Sequence, residues 1–172
     1  MKTRKHNKPN KSINLRYLPK RLASKDKLKQ TNMLTKSKRL YKKGIYYTRK
    51  PVKSFHSKTS KHILKARKIY GVEQIGATDE LARKTGCSKS ALSKIIGKGA
   101  GAYYSSGSRP NQTAQSWGIA RLASALTSGK AGAIDYNILH EGCKPGSKGY
   151  KAAQMAKKKH GFGQRRVPKV KL

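Results

Sequence analysis

The sequence predicts a mainly α protein: a small helical core with a helix-turn-helix-like unit, flanked by long extended basic arms. Charge is the first observation, because 42 Lys and Arg stand against six Asp and Glu among 172 residues, for a net charge of +36. The second is its distribution: residues 1–72 carry 24 basic residues and one acid, and residues 144–172 carry ten and none. Residues 73–143 carry eight basic and five acidic residues together with the only Trp, so this stretch can best bury a core.

We therefore predict three segments. They are a basic arm with one or two weak helices over residues 1–72, a compact helical domain over 73–143, and a basic C-terminal tail over 144–172. A core of about 70 residues is marginal on its own. Charge this lopsided repels itself unless a polyanion or an acidic surface neutralises it, so we expect the chain to work bound to a partner.

The N-terminal arm is predicted to carry the two weak helices. One is predicted over residues 24–43, where Asp26 suits the positive end of the helix dipole and Gly44 can end the helix. Its apolar stripe is thin, so burial within its own chain cannot stabilise it alone. A second basic helix is predicted over residues 61–70, whereas residues 1–20 show no hydrophobic periodicity.

Tyrosines interrupt the basic runs of this arm at Tyr41, Tyr46, Tyr47 and Tyr70. Two interpretations stay open. The rings can stack on exposed nucleobases while Lys and Arg neutralise phosphates, or they can anchor an arm that runs between protein subunits. A merely solvated charged surface is disfavoured, because the charge of residues 1–72 exceeds what solubility requires.

The sharpest local pattern lies over residues 78–96 and predicts two helices joined by a tight turn. Thr78 can cap the first helix, Gly86 permits the turn, and Ser88 can cap the second helix. If the unit docks on DNA, the start of the second helix faces the groove. The residues that would then contact DNA are Ser88, Lys89, Ser90, Ser93 and Lys94. Lys and Ser favour phosphate contact over base reading, and the alternative is that the two helices only build a core.

The rest of the middle segment holds a glycine-rich stretch, a loop and a third helix. Three glycines within residues 97–101 are predicted to break regular structure, and residues 103–110 to form a loop. The glycines lack the Gly-Lys-Ser/Thr ending of a P-loop, although a phosphate nest stays open. The third helix is predicted to begin near Thr113 and to run to Gly129. This helix, which includes Trp117, is apolar on much of its circumference, so we expect the helix at the centre of the core.

The residue types that carry out catalysis or bind metals do not form a recognisable motif in the sequence. The five His are scattered, and His140 with Cys143 offers two ligands where a structural zinc site needs four. Asp135 and Glu141 could pair for acid–base work, but no spacing brings them together. We therefore expect no enzyme activity, no catalytic residue, no cofactor, no metal and no small-molecule substrate.

The number of cysteines and the N-terminal residues indicate the cellular compartment in which the protein works. Cys87 and Cys143 are too few for a disulfide framework, which indicates a reducing, intracellular origin. The first ten residues are basic but have no apolar stretch behind them, so no secretory signal is predicted. No apolar run approaches the roughly 20 residues that a bilayer requires, so no transmembrane helix is predicted either.

A longer stretch, from Arg16 to Cys143, carries a resemblance. It contains RYLPKRLASKDKLKQ, RLYKKGIYYTRKPVKSFHSKTSKHILKARKIYGV and ELARKTGCSKSALSKI. Its most specific block is GKGAGAYYSSGSRPNQTAQSWGIARLASALTSGKAGAIDYNILHEGC. These stretches resemble an uncharacterised domain family of large double-stranded DNA viruses of algae and protists, with relatives in phages and bacteria. The resemblance implies a viral origin and no agreed biochemical role.

Two arginines of this block, Arg109 in the predicted loop and Arg121 on the third helix, are candidates for gripping an anion. In the alternative, they fix the loop to the acidic residues Asp135 and Glu141 of the same chain. We favour the alternative, because internal pairing satisfies buried polar groups without a ligand.

Resemblance and charge together predict a structural protein of a virus particle. We expect a minor capsid protein on the inner face of the shell, located in the virion and assembled in the interior of the infected host cell. Its basic arms would run between the major and other minor capsid proteins or contact packaged double-stranded DNA, and an internal viral membrane is a further candidate surface. The alternative is a nucleic-acid-binding protein, helix-turn-helix-like and largely sequence-nonspecific, that condenses or packages viral DNA.

Overall fold

The computed structural model describes residues 12–163 and 168–172, which form a mainly helical fold, as predicted. Two three-residue strands, β1 (Ser12–Asn14) and β2 (Lys169–Lys171), pair antiparallel. The helices are α1 (Ser24–Tyr41), α2 (Lys61–Tyr70), α3 (Asp79–Thr85), α4 (Lys89–Ser105), α5 (Ala114–Leu126), α6 (Lys130–Ile134), α7 (Tyr136–Gly142) and α8 (Lys148–His160). None of these helices is long and apolar enough to cross a membrane.

The predicted starts of α3 and α4 and the predicted stop of α3 are confirmed. The Thr78 hydroxyl accepts a hydrogen bond from the Leu81 N–H, and the Ser88 hydroxyl accepts one from the Ala91 N–H. Gly86 ends α3 in the left-handed conformation, at φ +76°, which glycine adopts without steric cost. Two helices joined by a tight turn are therefore present, while the helix-turn-helix-like unit and its contact with DNA stay predictions.

Helix α4 runs straight through the glycine-rich stretch, so the predicted break over residues 97–101 is wrong. The reason is the crossing with α5, where a Cβ on Gly99 would lie 2.6 Å from the Gly118 Cα. Two glycines facing each other let the two backbones approach directly, and this packing outweighs the cost of roughly 1 kcal/mol that a helical glycine carries. Gly97 and Gly101 face open space and serve no such contact.

The larger of two hydrophobic cores surrounds α5, which packs against α2, α4, α6 and α8. Its largest fully buried side chains are Leu81, Leu92, Ile95, Leu122, Leu126 and Leu139. The third helix, expected at the centre of the core, is α5, and its Trp117 lies half-buried at the edge of the second core. There it meets the Tyr17 ring edge to face at 6.2 Å between centroids. Trp117 lies in the first turn of α5, and this end of the helix faces the N-terminal part of the chain.

The second core is formed by the N-terminal part of the chain and includes Tyr17, Leu18, Met33, Leu34 and Val52. Residues 12–72 are thus folded rather than extended, in contrast to the predicted arm. The prediction missed this because half of the buried face of α1 is polar. Its buried residues are Gln30, Met33, Leu34 and Ser37.

The predicted C-terminal tail also begins as a packed helix. α8 buries the small residues Gly149, Ala153 and Ala156, and Ala153 belongs to the larger core. The extended arms of the prediction are therefore not seen in the described parts of the chain. Residues 1–11 of the predicted arm and 164–167 of the predicted tail lie outside the described residues. The domain boundaries stay a prediction, with residues of the larger core on both sides of each.

A disulfide between Cys87 and Cys143 joins the α3–α4 turn to the α7–α8 turn. The two turns also pair through their backbones: the Ser88 N–H donates to the Gly142 carbonyl and the Lys144 N–H to the Gly86 carbonyl, each at 2.8 Å. The sequence indicated a chain without a disulfide framework, and the reducing, intracellular origin that it also indicated stays a prediction. The structure instead holds one buried disulfide, because residues 56 positions apart meet where the two turns adjoin.

Candidate nucleic-acid interface

Five of the predicted DNA-contacting residues, Ser88, Lys89, Ser90, Ser93 and Lys94, are exposed at the start of α4. Ser88 uses its hydroxyl as the helix cap, and the Lys89 ammonium lies 3.2 Å from the Asp79 carboxylate. An exposed ion pair of this kind contributes little to stability, so Lys89 can exchange Asp79 for another anion.

Further lysines adjoin this helix start. Because Lys144 bonds to Gly86 through its backbone, the exposed side chains of Lys144 and Lys148 belong to the turn next to it. We call the two adjoining turns, the first two turns of α4 and the first turn of α8 the turn region. Its exposed lysines include Lys89, Lys94, Lys144 and Lys148.

Arg121 does not face an external anion. Its Nε and one terminal nitrogen donate to the two carboxylate oxygens of Asp135 at 2.7 and 2.8 Å. The Lys98 ammonium donates to the same carboxylate at 2.7 Å, and the Asp135 side chain is completely buried. The internal-pairing alternative is therefore correct for Arg121 and Asp135, which tie α5 to the junction of α6 and α7.

Arg109 and Glu141 are not part of that pairing. Both side chains are exposed, and no ion pair joins either of them to another residue in the described ranges. The two candidate arginines thus differ: Arg109 is open to solvent in the loop before α5, whereas Arg121 is committed to Asp135. Arg109 remains a candidate for anion contact and Arg121 does not.

The loop before α5 is held mainly by the N-terminal part of the chain, through Arg49. This side chain is buried, and its guanidinium donates to the Ser37 hydroxyl, the Tyr103 carbonyl and the Ser108 hydroxyl at 2.8–3.0 Å. Burial lowers the pKa of Arg49, and neighbouring tyrosines, Tyr103 first, act in the opposite direction. Arg49 therefore joins α1, the end of α4 and the loop as a structural cation.

Asn111 fastens the same loop to a second stretch. Its side-chain carbonyl accepts the Val52 N–H at 2.7 Å, and its amide donates to the Phe55 carbonyl at 2.6 Å. The residue has φ +60°, a conformation that asparagine tolerates better than most side chains. Sequence reasoning missed both anchors. The Pro-Asn dipeptide was a usable signal for Asn111, but nothing distinguished Arg49 from the other 41 basic residues.

The four tyrosines that interrupt the basic runs of the predicted arm are of two kinds. Tyr70 is buried and donates its hydroxyl to the Leu126 carbonyl at 2.6 Å, and Tyr47 packs on the second core under the Lys36 ammonium. Tyr41 and Tyr46 are exposed, and their rings meet edge to face with 6.0 Å between centroids. The interface therefore offers two exposed features: the lysines of the turn region and this pair of rings.

Acidic groups do little to reduce the positive charge. The Asp135 carboxylate is paired with Lys98 and Arg121, and the Asp26 carboxylate accepts the Ser54 N–H at 2.8 Å. Hydrogen bonds with Ser54, from its side chain first and its backbone second, lower the pKa of Asp26. Among the described residues, Arg49 is the one Lys or Arg that is buried. Within the same ranges, no three His, Cys, Asp or Glu side chains lie together so that they could hold a metal ion.

Residues 15–139, well over half of the chain, match a family of unknown function (DUF5824). The chain belongs to this family, which agrees with the predicted membership of an uncharacterised family. The match carries neither an origin nor an activity. No curated protein and no solved structure matches the chain.

Proposed function

We propose that the protein is a non-enzymatic nucleic-acid-binding protein that neutralises phosphate backbones through a folded, strongly cationic surface. The placement of the charge carries this proposal. The chain has a net charge of +36, and all but one of its described Lys and Arg side chains reach solvent. Such a surface is repulsive on its own and gains free energy when a polyanion displaces its counterions.

The turn region is the part of this surface that we assign to phosphate contact. Lys89 and Lys94 project from the start of α4, and the Ser90 and Ser93 hydroxyls stand exposed between them. Lysine is a compact point charge and serine a short donor, so both suit phosphate oxygens better than base edges. We therefore expect binding that depends strongly on salt and weakly on sequence.

The test is the salt dependence of binding to a DNA duplex of about twenty base pairs, measured for wild type and for the double variant Lys89→Glu/Lys94→Glu. Each lost phosphate contact flattens the slope of log K against log salt by about 0.9, so we expect a change of about 1.8 or more. The matched control is Lys65→Glu/Lys68→Glu, which makes the same change of charge at exposed positions of α2.

Three results distinguish the outcomes. A flatter slope for the α4 variant than for the α2 control supports the turn region. Equal slopes for the two variants would remove the turn region as the interface. A wild-type protein that binds neither duplex nor single-stranded DNA at moderate salt would overturn the function itself.

The second candidate is a structural role in a DNA virus particle, as a minor capsid protein on the inner face of the shell. The observation that favours it is the exposure of large apolar side chains that phosphate binding does not require. These side chains are Ile134, Met155 and Phe162. They suit contact with a capsid subunit. Because the described parts of both predicted arms are folded, contact with the shell would use these surfaces rather than extended arms.

Stepwise disruption of purified particles separates the two candidates. Mass spectrometry would follow whether the protein leaves with the shell or with the genome, with and without nuclease. Retention on nuclease-treated shells supports the capsid role. Release together with the DNA supports nucleic-acid binding as the main role and counts against a place in the shell.

A further inference from the structure

We infer that Tyr41, Tyr46 and Tyr104, here called the tyrosine cluster, form a stacking site for unpaired nucleobases. The ligand of this face is then single-stranded nucleic acid. This inference deepens the proposed function and rests on it, because it names the form of nucleic acid that the cationic surface takes. It comes from a different part of the molecule than the turn region.

The tyrosine cluster holds an exposed ring in a fixed place. Tyr46 is 68% exposed, yet its ring meets Tyr41 at 6.0 Å and Tyr104 at 5.1 Å between centroids, in both cases edge to face. Tyr104 in turn contacts the buried ring of Tyr103 at 5.0 Å. The cluster is thus an outward continuation of the packing around Arg49.

The backbone before Tyr46 also holds this residue in a fixed position. Tyr41 is the last residue of α1, and Gly44 turns the chain back with φ +74°. The Ile45 N–H then donates to the Leu40 carbonyl at 3.0 Å. Tyr46 is therefore positioned by a closed turn at the end of a helix, which lowers the entropy lost when a base stacks on it.

Lysines adjoin the tyrosine cluster along the chain. Lys42 and Lys43 are exposed in the turn that separates Tyr41 from Tyr46. One turn earlier on α1 is Lys38, whose pKa is lowered first by burial and then by the nearby charges of Lys169 and Arg49. None of these cations takes part in an ion pair within the described residues. An aromatic ring fixed among unpaired cations matches the alternation of base and phosphate in a single strand.

The chemistry favours single strands over duplexes. In a duplex the base faces are covered by their neighbours, so a ring can stack only on a terminal pair. In a single strand each base has an open face, and stacking on an aromatic side chain tolerates any sequence. A protein partner would bury the ring as well, but it would not require the lysines that adjoin it.

The experiment compares three ligands with the full-length protein at one salt concentration. They are an oligothymidylate of about twelve nucleotides, an abasic strand of the same length and charge, and the matching duplex. We expect the wild type to bind the oligothymidylate at least about fivefold more tightly than the abasic strand, the scale of one stacked base. Tyr46→Ala should lose most of this preference and leave the affinity for the abasic strand unchanged.

Two variants serve as controls. Tyr46→Phe retains an aromatic face and should keep the preference, and Phe162→Ala removes a ring that is 80% exposed outside the cluster and should change nothing. The inference is overturned if wild type binds both strands equally, or if Tyr46→Ala weakens both equally. Equal, salt-dependent binding of both strands leaves the proposed function standing, whereas no binding to any of the three ligands removes the proposed function as well.

Discussion

The Arg49 guanidinium lies 3.8 Å from the centroid of the Tyr103 ring, and the Arg49 backbone N–H donates to the Tyr103 hydroxyl at 2.9 Å. One residue thus contacts the other through both its side chain and its backbone. The charge of Arg49 is balanced by an aromatic face, two hydroxyls and a carbonyl rather than by a carboxylate. The chain has only six Asp and Glu, and the buried charge of Arg49 is stabilised without any of them.

Arg49→Lys should destabilise the fold although it keeps the charge. An ammonium cannot reach the three acceptors of the planar guanidinium at once, so buried acceptors lose their donors. We expect the free energy of unfolding to fall by roughly 2–3 kcal/mol, measured by urea denaturation. The exposed neighbour provides the control, because Lys50→Ala should stay within about 0.5 kcal/mol of wild type. Equal losses for the two variants would contradict a structural role of Arg49.

Gly118→Ala and Gly101→Ala should change stability in opposite directions. A Cβ at Gly118 would overlap the Ile96 carbonyl oxygen, so α4 and α5 would have to separate, at a cost of about 1–3 kcal/mol. Gly101 lies inside α4 with nothing near its missing Cβ, so alanine should stabilise the helix by about 0.5–1 kcal/mol. Thermal unfolding of the two variants measures the difference, and a neutral Gly118→Ala would show that the helices do not cross this closely.

Asp135→Asn should be costly, because it leaves Lys98 and Arg121 without their shared carboxylate. Removing one partner of a buried ion pair costs about 3–5 kcal/mol, and solvent access to Lys98 brings the expectation to about 2–4 kcal/mol. The exposed pair provides the comparison, since Asp79→Asn breaks a contact with Lys89 that should contribute less than about 1 kcal/mol. Chemical denaturation of both variants tests this ranking. If Asp79→Asn lowers the free energy of unfolding more than Asp135→Asn does, the assigned role of Asp135 is wrong.

Tyr70 should make the protein less stable in alkali. Burial raises the pKa of its hydroxyl from 10.0 to about 12. Between these values the unfolded chain releases the proton first, so the free energy of unfolding falls as the pH rises above 10. Tyr70→Phe removes this group together with its hydrogen bond to Leu126, worth about 1 kcal/mol. The stability advantage of wild type over Tyr70→Phe should therefore shrink between about pH 10 and pH 12, and a difference that stays constant over this range would contradict the prediction.

Local signals predicted the helices well and their packing poorly. The predicted helices at 24–43 and 61–70 are α1 and α2 to within two residues, because caps, glycines and charges act over a few positions. The docking of α1 escaped prediction because Gln30 and Ser37 occupy its buried face. Gln30 donates to the Tyr17 and Ser108 carbonyls, and Ser37 donates to the Tyr104 carbonyl. Such contacts depend on carbonyl groups far along the chain, which hydrophobic periodicity does not register.

In the candidate site, too, features that depend on local sequence were predicted and features that depend on packing were not. Exposure of Lys89 and Lys94 could be predicted from the helix start and the turn alone. The commitment of Arg121 to Asp135 was foreseen as an alternative, because an acid within the same segment was available to it. Tyr104 could not be assigned to a surface cluster, since the sequence indicated a loop where α4 continues.

The disulfide has a mechanical consequence. It turns the stretch from Cys87 to Cys143 into a covalent ring that contains α4, α5, α6 and α7. A force applied to the two ends of the chain enters and leaves the ring at adjacent sulfur atoms, so these four helices bear none of the tension. With a separation of 56 residues and roughly 3.4 Å for each extended residue, about 190 Å of contour length stays hidden from a pulling force until the bond is reduced.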